Sequence, residues 1–395
     1  MHALFIAHYT LATCLGLGQK STWDAIVAHR TGLQKCAFET VDLPTFIGQV
    51  VGVEAQQMPL RLAHHLCRNN QLALLALEQD GFGDAVRAAV RTYGNARVGV
   101  FLGTSTAGIL TTELAYRQRD ATSGALPPSF QYPQTHKTYS VAGFVRDYFE
   151  LEGPSVAVSS ACSSSAKVFG NAARMMACGL IDAAVVGGVD SLCLTTLYGF
   201  NSLELLSTEL CQPYGEDRKG ISISEAAGFA LLTRENPHAS AAIAVTGIGE
   251  SSDAHHMSSP HPQGAGALAA MQAALTMAGR LPSQIDYINL HGTATRSNDA
   301  AEGLAVASLF GPATPCSSTK GHTGHALGAA GIVEAALCAL ALQHGIIPGG
   351  VNTQKLDSTL SVNYLLRNIE RAPNAIVSNS FGFGGSNCSL VLERV

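Results

Sequence analysis

The chain has 395 residues, of which 47% are hydrophobic and 13% are charged, and this balance with 40 glycines argues against disorder and for a compact enzyme. A net charge of −5 and a pI near 6.3 give no general attraction to nucleic acid or to a membrane surface. Ten cysteines without a CxxC pair predict neither a disulfide framework nor a zinc site, and they favour a reduced, cytoplasmic setting.

Short apolar runs alternate with helical patterns along the chain, which predicts an α/β protein with mostly buried strands. The first strand is expected at the N-terminus, where the apolar stretch has no preceding Lys or Arg and does not match a signal peptide. Further strands are predicted at 97–102, 155–158, 183–186, 242–245 and 285–290. Helices are predicted at 62–79, 162–178, 265–278 and 325–342, and the composition of the last one favours a buried helix over a transmembrane span.

A weak internal repeat divides the chain into two halves. In each half a strand is expected to end in a Gly-Thr turn, at Gly103 and at Gly292. A Ser-Ser turn that opens a helix follows in both, at Ser159 and at Ser317. The repeat predicts two related α/β halves, residues 1–237 and 238–395, that meet near 236–238.

Cys162 is the first candidate for chemistry. It follows a predicted strand and two serines, and a helix of small side chains is expected to begin at or just before it. Backbone N–H groups and the helix dipole favour the thiolate there, which is the nucleophilic form of cysteine. Because free cysteines are usually inert core residues, this local pattern leaves a structural role open.

His291 is the second candidate, because it is expected at the end of a buried strand and precedes a glycine. Active-site side chains of α/β proteins commonly occupy this position. The hydroxyls of Thr293 and Thr295 would line one side of the turn and suit a polar linker. A strand-end histidine with ordinary hydrogen bonds remains the alternative.

Lys320 and His325 precede a very apolar helix of small residues. A buried lysine or histidine is costly unless it is paired, which marks both as candidates. Two other interpretations have less support. Ser317 and Lys320 match the SxxK spacing of serine acyl-enzymes without its accompanying motifs, and His322 with His325 lacks a carboxylate or cysteine to complete a metal site.

A tight loop from 379 to 387 alternates phenylalanine with glycine and includes Phe381 and Phe383. Its backbone N–H groups are able to face a ligand. The glycine spacing and the strand that follows do not match a dinucleotide-binding fingerprint.

Four sequence blocks together resemble the β-ketoacyl-acyl-carrier-protein synthases of the thiolase superfamily, in the elongating class that uses one cysteine and two histidines. They are SSACSSSA at 159–166, HGTAT at 291–295, STKGHTGHALGAAG at 318–331 and SNSFGFGGSN at 378–387. The blocks occur in the family's order and span essentially the whole chain. The resemblance implies a thiolase fold, in which two duplicated α/β halves form five layers in the order α-β-α-β-α.

The resemblance also implies a role for each matched residue. Cys162 is the nucleophile, and His291 and His325 are the paired histidines. Lys320 organises the charges of the site, and Glu334 is a buried acidic support.

Further roles implied by the resemblance concern substrate binding. The backbone N–H groups of Cys162 and Phe383 would form an oxyanion hole. Thr293 and Thr295 would hold the phosphopantetheine arm, while Phe381 and Phe383 would act as a gate between acyl-binding and malonyl-binding states.

The implied reaction moves an acyl group from an acyl carrier protein to Cys162 and condenses it with malonyl-carrier as carbon dioxide leaves. It requires no metal or redox cofactor, because the substrates ride on the 4′-phosphopantetheine of the carrier. Carrier docking is expected at Arg61 and Arg68, with His64 and His65 between them. Such enzymes form homodimers, or heterodimers with a ketosynthase-like chain-length factor.

The sequence departs from the usual family pattern at 217–221, which reads DRKGI, and at 224–228, which reads SEAAG. Together with the diluted basic segment, these departures leave two pathways open, primary fatty-acid synthesis and a specialised type II polyketide such as an aryl polyene.

Three other functions were weighed. A thiolase would need a second active-site cysteine in a C-terminal Cys-x-Gly loop, whereas Cys388 is followed by serine and leucine. A non-catalytic chain-length partner would lack the nucleophile. A Cys-His hydrolase would not need two histidines together with Lys320.

Overall fold

The computed structural model describes residues 3–236 and 242–395. The strands in these ranges are β1 (Leu4–Thr13), β2 (Gly16–Leu17), β3 (Gln34–Lys35), β4 (Phe46–Ile47), β5 (Val98–Gly103), β6 (Ser155–Val158), β7 (Ala183–Asp190), β8 (Ala226–Thr233), β9 (Ile243–Ser252), β10 (Tyr287–Asn289), β11 (Pro315–Ser317), β12 (Asn363–Tyr364), β13 (Ala375–Gly382) and β14 (Ser386–Arg394).

The α-helices in the same ranges are α1 (Gly18–Val27), α2 (Arg68–Leu77), α3 (Phe82–Tyr93), α4 (Ile109–Arg117), α5 (Tyr132–Thr135), α6 (Ser140–Phe149), α7 (Ser164–Ala177), α8 (Leu194–Ser202), α9 (Ala265–Ala278), α10 (Arg296–Phe310), α11 (Lys320–Thr323) and α12 (Ala330–His344). Short 3-10 turns occur at Leu60–His65, Asn95–Arg97, Pro282–Gln284, Leu327–Ala329 and Phe383–Gly385.

The strand pairing of the first half is repeated in the second. In the first half β1 pairs antiparallel with β8, β8 antiparallel with β7, β7 parallel with β5, and β5 parallel with β6. In the second half β9, β14, β13, β10 and β11 pair in the same order and with the same directions. The two Gly-Thr turns follow the equivalent strands β5 and β10, so the predicted duplication of α/β halves is confirmed.

Helices cover both faces of the sheets, and the result is the expected five-layer arrangement. Helices α2, α3 and α6 pack outside the first half's strands, and α9 and α10 lie outside those of the second. Helices α7 and α12 lie between, where α7 contacts β5 and β7 while α12 contacts β8, β13 and α7. The two sets of strands join where β1 pairs antiparallel with β9.

Helix α12 shows why an apolar run of small residues is needed at the centre. Every residue from Ala330 to Leu342 is buried, because sheets flank this helix on two sides. By length and composition alone the stretch Leu327–His344 is apolar enough to cross a membrane, yet 89% of it is buried within the protein. The prediction of a buried helix at this position is confirmed.

Most predicted elements are present, with shifted ends. The predicted helix at 265–278 coincides with α9, and the predicted strand at 155–158 coincides with β6. The helix predicted at 62–79 is wrong in one respect, because a 3-10 turn ends at His65 and α2 starts anew at Arg68. Pro237 and His238 lie outside the described residues, so the boundary between residues 1–237 and 238–395 stays a prediction.

Candidate active site

Cys162 lies in a sharp turn between β6 and α7. Ala161 just before it has a φ of +52°, a left-handed backbone that costs a non-glycine residue about 1–2 kcal/mol. The Ser163 hydroxyl donates to Ser160 O at 2.9 Å, and the Ser164 hydroxyl donates to Ala161 O at 2.5 Å, which holds the turn in this shape. Helix α7 begins two residues after the cysteine, later than predicted.

His325 comes from the second half and lies directly against the cysteine. Its Nε2 is 3.1 Å from Cys162 Sγ. The backbone N–H of Leu327 donates to its Nδ1 at 3.1 Å. Since a neutral imidazole carries one proton, this assigns the proton to Nε2, where it points at the sulfur.

His291 follows the end of β10 and stands beside His325. The two rings meet edge to face with centroids 5.4 Å apart. Lys320 Nζ is 3.2 Å from His291 Nδ1 and donates to the His291 carbonyl at 2.6 Å. Because an ammonium group only donates, the His291 Nδ1 accepts and its proton lies on Nε2.

Lys320 and Glu334 form a buried ion pair behind the histidines. Lys320 is 1% exposed and Glu334 is 2% exposed, and the ammonium donates to Glu334 Oε1. Burial raises the pKa of the Glu334 carboxyl, and the Lys320 charge opposes that rise. The positive charge of Lys320 therefore lies next to the histidines, and the negative charge of Glu334 balances it.

Burial and the charge of Lys320 set the protonation states of the cysteine and the two histidines. Burial, followed by the charge of Lys320, lowers the pKa of His325 well below its ordinary value, and the same two causes lower the pKa of His291. Burial raises the pKa of the Cys162 thiol to about 11, against the opposing effects of Lys320 and the Phe383 amide. The sequence argument for a thiolate at the helix start was therefore incomplete, because burial outweighs the nearby donors in the free site.

The Phe-Gly loop reaches the nucleophile through its backbone. The amide of Phe383 points at Cys162 Sγ. A Cβ placed on Gly382 would come within 3.2 Å of Cys162 N, so glycine allows the two chain segments to lie side by side. The two amides expected to form an oxyanion hole are thus neighbours.

Two cavities meet at Cys162. One is lined by Thr293, Thr295 and both histidines, and the other extends past Ser105 and Leu327. Phe383 and Phe200 line both cavities, and their rings are 5.7 Å apart. The gate expected at Phe381 and Phe383 stays a prediction, since Phe383 lines both of these cavities whereas Phe381 lines the first.

The threonine hydroxyls lie together, as expected from the turn. Thr293 Oγ1 and Thr295 Oγ1 are 2.9 Å apart, and both residues line the first cavity. Thr295 also caps α10 by accepting from the Asn298 amide at 3.4 Å. Phe381, whose ring centroid is 6.0 Å from that of His291, completes this wall.

Glu302 is a residue of the site that sequence reasoning missed. Its carboxylate accepts from the backbone amides of His291 and Gly292, each at 2.8 Å, and from the Asn379 side chain at 3.2 Å. Burial raises its pKa to about 7, against these donors. A carboxylate in a run of small residues, seven positions after Thr295 at the end of the predicted turn, was the available signal.

A metal ion is the other occupant that the central cluster invites. The ligand atoms of Cys162, His291 and His325 lie within 4.8 Å of one another. A metal would need lone pairs on the Nε2 atoms, whereas Lys320 and the Leu327 amide place protons there. The adjacent ammonium would also repel a cation.

The other sequence hypotheses find no support in the geometry. Ser317 donates to the Pro348 carbonyl at 2.7 Å within a buried strand, which does not suit an SxxK nucleophile. The nitrogens of His322 face the carbonyls of Arg30 and Gly349, away from His325. A second thiolase cysteine would lie in a loop, whereas Cys388 is fully buried inside strand β14.

The two arginines expected to dock a carrier differ in their surroundings. Arg68 is 8% exposed and pairs with the buried Glu225 and with Glu54, so its guanidinium is already used inside the protein. Arg61 is exposed and donates to the carbonyls of Asp147 and Tyr148. Arg68 is therefore not available to dock a carrier, and docking at Arg61 stays a prediction.

Comparison with known proteins agrees with this site. Residues 9–238 match the family described as "Beta-ketoacyl synthase, N-terminal domain", and residues 242–354 match "Beta-ketoacyl synthase, C-terminal domain". The 3-oxoacyl-[acyl-carrier-protein] synthase 2 of Vibrio cholerae serotype O1 is 33% identical in an alignment of 406 positions that covers 95% of each chain.

Solved structures give the same result. A chain from the complex of the ketosynthase ApeO with its chain length factor ApeC, from Xenorhabdus doucetiae, is 37% identical, with a TM-score of 0.89 and coverage of 100% of this chain and 98% of that one. A beta-ketoacyl synthase from Burkholderia phymatum STM815 is 27% identical, with a TM-score of 0.88 and full coverage of both chains. The chain belongs to the β-ketoacyl synthase family of condensing acyltransferases.

Proposed function

We propose that this protein elongates acyl chains carried by an acyl carrier protein. An acyl group passes from the carrier thioester to Cys162, and the resulting acyl-enzyme condenses with malonyl-carrier by decarboxylative Claisen condensation. One observation carries this proposal. The Cys162 sulfur lies 3.1 Å from His325 Nε2, and a second neutral histidine and a buried ammonium group lie beside them.

The first half-reaction is an exchange of thioesters. The Cys162 sulfur attacks the carrier-bound carbonyl, and the carrier thiol leaves with the proton that the cysteine gives up. The amides of Cys162 and Phe383 would hold the oxyanion of the tetrahedral intermediate, where one such donor is typically worth about 2.7–4 kcal/mol. Because burial raises the pKa of the thiol to about 11, the sulfur relies on the Lys320 charge and the Phe383 amide when it ionises.

The second half-reaction needs donors rather than bases. When malonyl-carrier loses carbon dioxide, the electron pair moves into an enolate, whose oxygen must be stabilised. His291 and His325 both carry their proton on Nε2, and the lowered pKa values keep both rings neutral. The enolate carbon then attacks the acyl-Cys162 carbonyl, and the cysteine sulfur is released.

The substrate arm and the acyl chain have separate compartments in this proposal. Thr293 and Thr295 hold the phosphopantetheine arm in the first cavity, while the acyl group occupies the second cavity beyond Cys162. Phe383 lines both cavities, and together with Phe381 it opens or closes the passage between them. No further cofactor enters the reaction, since the carrier's own phosphopantetheine delivers both substrates.

We also propose that the working assembly is a heterodimer with a ketosynthase-like chain-length factor, in a type II polyketide pathway of the aryl polyene kind. A chain from the solved complex of a ketosynthase with its chain length factor matches the full chain at 37% identity. The edge strand β6, directly before Cys162, is half-buried and pairs with β5 on one side only among the described residues. An unpaired edge of this kind invites a partner strand.

Intact-mass analysis tests the nucleophile. After incubation with acyl-carrier protein the enzyme should gain one acyl mass, and Cys162→Ala should gain none while Cys388→Ala, the matched control, behaves as wild type. An adduct that survives in Cys162→Ala would refute the assignment.

Carbon dioxide release from malonyl-carrier tests the histidines. It should collapse in His291→Ala and in His325→Ala, and unchanged release in either variant would remove that residue from the mechanism. Co-expression with the products of the neighbouring genes, followed by native mass measurement, separates a heterodimer from a homodimer.

A further inference from the structure

Asp190, at the end of β7, has a buried carboxylate that the proposed chemistry does not use. The residue is fully buried, and its Oδ1 accepts from the backbone amides of Ser105 and Thr106 at 2.7 and 2.8 Å. The hydroxyls of Thr104 and Thr106 also donate to this oxygen, at 2.9 and 2.7 Å. One oxygen thus organises the turn that follows β5.

The surrounding contacts require an acceptor at this position. The Thr104 hydroxyl oxygen accepts from the Ala107 amide at 3.0 Å, and the Thr106 hydroxyl oxygen accepts from the Ser191 amide at 3.2 Å. Each hydroxyl therefore has its own proton left to give to Asp190. Only a group that accepts without donating satisfies all four contacts.

The second oxygen of Asp190 reaches across to the other half of the molecule. Oδ2 accepts from the Ala329 amide at 3.1 Å, and the same amide also donates to the Ala326 carbonyl at 2.9 Å. Ala329 ends the short turn Leu327–Ala329, in which Leu327 has a strained φ of +51°. A Cβ placed on Gly328 would lie 2.8 Å from Asp190 Oδ2, so only glycine fits under the carboxylate.

This turn is the one that sets the protonation of His325. The Leu327 amide donates to His325 Nδ1 at 3.1 Å, and this bond keeps the proton on Nε2, next to Cys162. The strained conformation of Leu327 needs external support, which the carboxylate gives two residues further on.

We propose that Asp190 is a positioning residue for His325: it holds the Leu327–Ala329 turn so that the imidazole stays in its Nε2–H tautomer. The proposal rests on the proposed role of His325 and extends it to a residue of the other half. Asp190 touches neither substrate nor the reacting atoms.

Asp190→Asn isolates this role because the amide keeps the shape of the side chain. If its oxygen remains at the Oδ1 position, it still serves the turn after β5, but its NH₂ group then faces the Ala329 N–H. Two donors repel, so the Leu327–Ala329 turn loses its support while the first-half turn is kept. Glu393→Gln is the matched control, since Glu393 is also a buried carboxylate and pairs with Arg280 far from the site.

The tautomer is read from side-chain ¹⁵N spectra of histidine-labelled protein without substrate, with His325 assigned by comparison with His325→Gln. The wild type and Glu393→Gln should show the Nε2–H form, and Asp190→Asn should show the Nδ1–H form or exchange between the two. In steady-state assays Asp190→Asn should lower kcat for malonyl-carrier decarboxylation by at least about tenfold with little change in KM, because binding groups are untouched.

A wild-type tautomer in folded Asp190→Asn would overturn the inference, as would a loss of kcat no larger than that of Glu393→Gln. If the wild type itself shows no decarboxylation, the proposed function fails, and the spectra still decide the role of Asp190. If Asp190→Asn does not fold, Gly328→Ala, which pushes a methyl group against the same oxygen, provides the second test and should shift the tautomer in the same direction.

Discussion

Replacing Lys320 with methionine removes the cation of a buried ion pair while keeping a side chain of similar length. Glu334, 2% exposed, then lacks its compensating charge. Removing one partner of such a pair typically costs about 3–5 kcal/mol of folding free energy. The loss should be largest at high pH, where Glu334 is ionised in the unfolded chain. On folding, its carboxylate must then either stay charged in the core or take up a proton.

The sign of this pH dependence follows from the direction of the pKa shift. Burial raises the folded pKa of Glu334 above its ordinary value, and Lys320 opposes the rise, so the variant has a still higher pKa. Stability that depends on the protonated carboxyl is fully present below the unfolded pKa and is lost as the pH rises through the folded one. Relative to wild type, the variant should therefore lose up to about 1.4 kcal/mol per pH unit between the folded pKa of the wild type and its own higher folded pKa.

Urea denaturation at pH 6 and at pH 8 measures this effect, with the change in midpoint and slope recorded for both proteins. A double variant, Lys320→Met with Glu334→Leu, should recover most of the loss and remove its pH dependence, because no buried charge remains. Equal losses at the two pH values, or a double variant as unstable as the single one, would refute the reasoning.

Three further predictions concern the same site. Because the pKa values of His291 and His325 are lowered, malonyl-carrier decarboxylation should show no acid limb near pH 6.5; a half-maximal rate at that pH would contradict the neutral pair. With the pKa of Cys162 at about 11, iodoacetamide alkylation should speed up about tenfold per pH unit from pH 7 to 10, and a plateau below pH 9 would argue against it. Glu302→Ala leaves the amides of His291 and Gly292 without a charged acceptor and should cost at least about 2 kcal/mol in urea denaturation, whereas an unchanged midpoint would show that water replaces the carboxylate.

Local patterns were enough where an element is marked by its own apolar residues. Helix α9 was placed from the spacing of its apolar residues, because one face of it is buried along its length, and the half-buried edge strand β6 was placed from its short apolar run. The repeat was visible for a related reason: both halves need a glycine where a strand ends and the chain turns towards the site.

Other features depend on contacts that no local pattern carries. Leu66 is extended and 51% exposed, which ends the helical path before α2, and nothing in the apolar spacing marks that break. The left-handed conformation of Ala161 gives no signal either, since alanine ordinarily avoids it. Such strained positions are held by surrounding hydrogen bonds, and these appear only once the chain is folded.

The buried carboxylates show how the duplicated fold places its chemistry. In the first half Asp190 accepts the amides of the turn after β5, and in the second Glu302 accepts the amides of the equivalent turn after β10. The first turn lies beside the acyl-side cavity, while the second presents His291. The other oxygen of Asp190 accepts the Ala329 amide of the opposite half, so the cysteine-bearing and histidine-bearing halves share one hydrogen-bond system. Since each half supplies only part of the site, this link fixes the geometry between Cys162 and His325, on which both half-reactions depend.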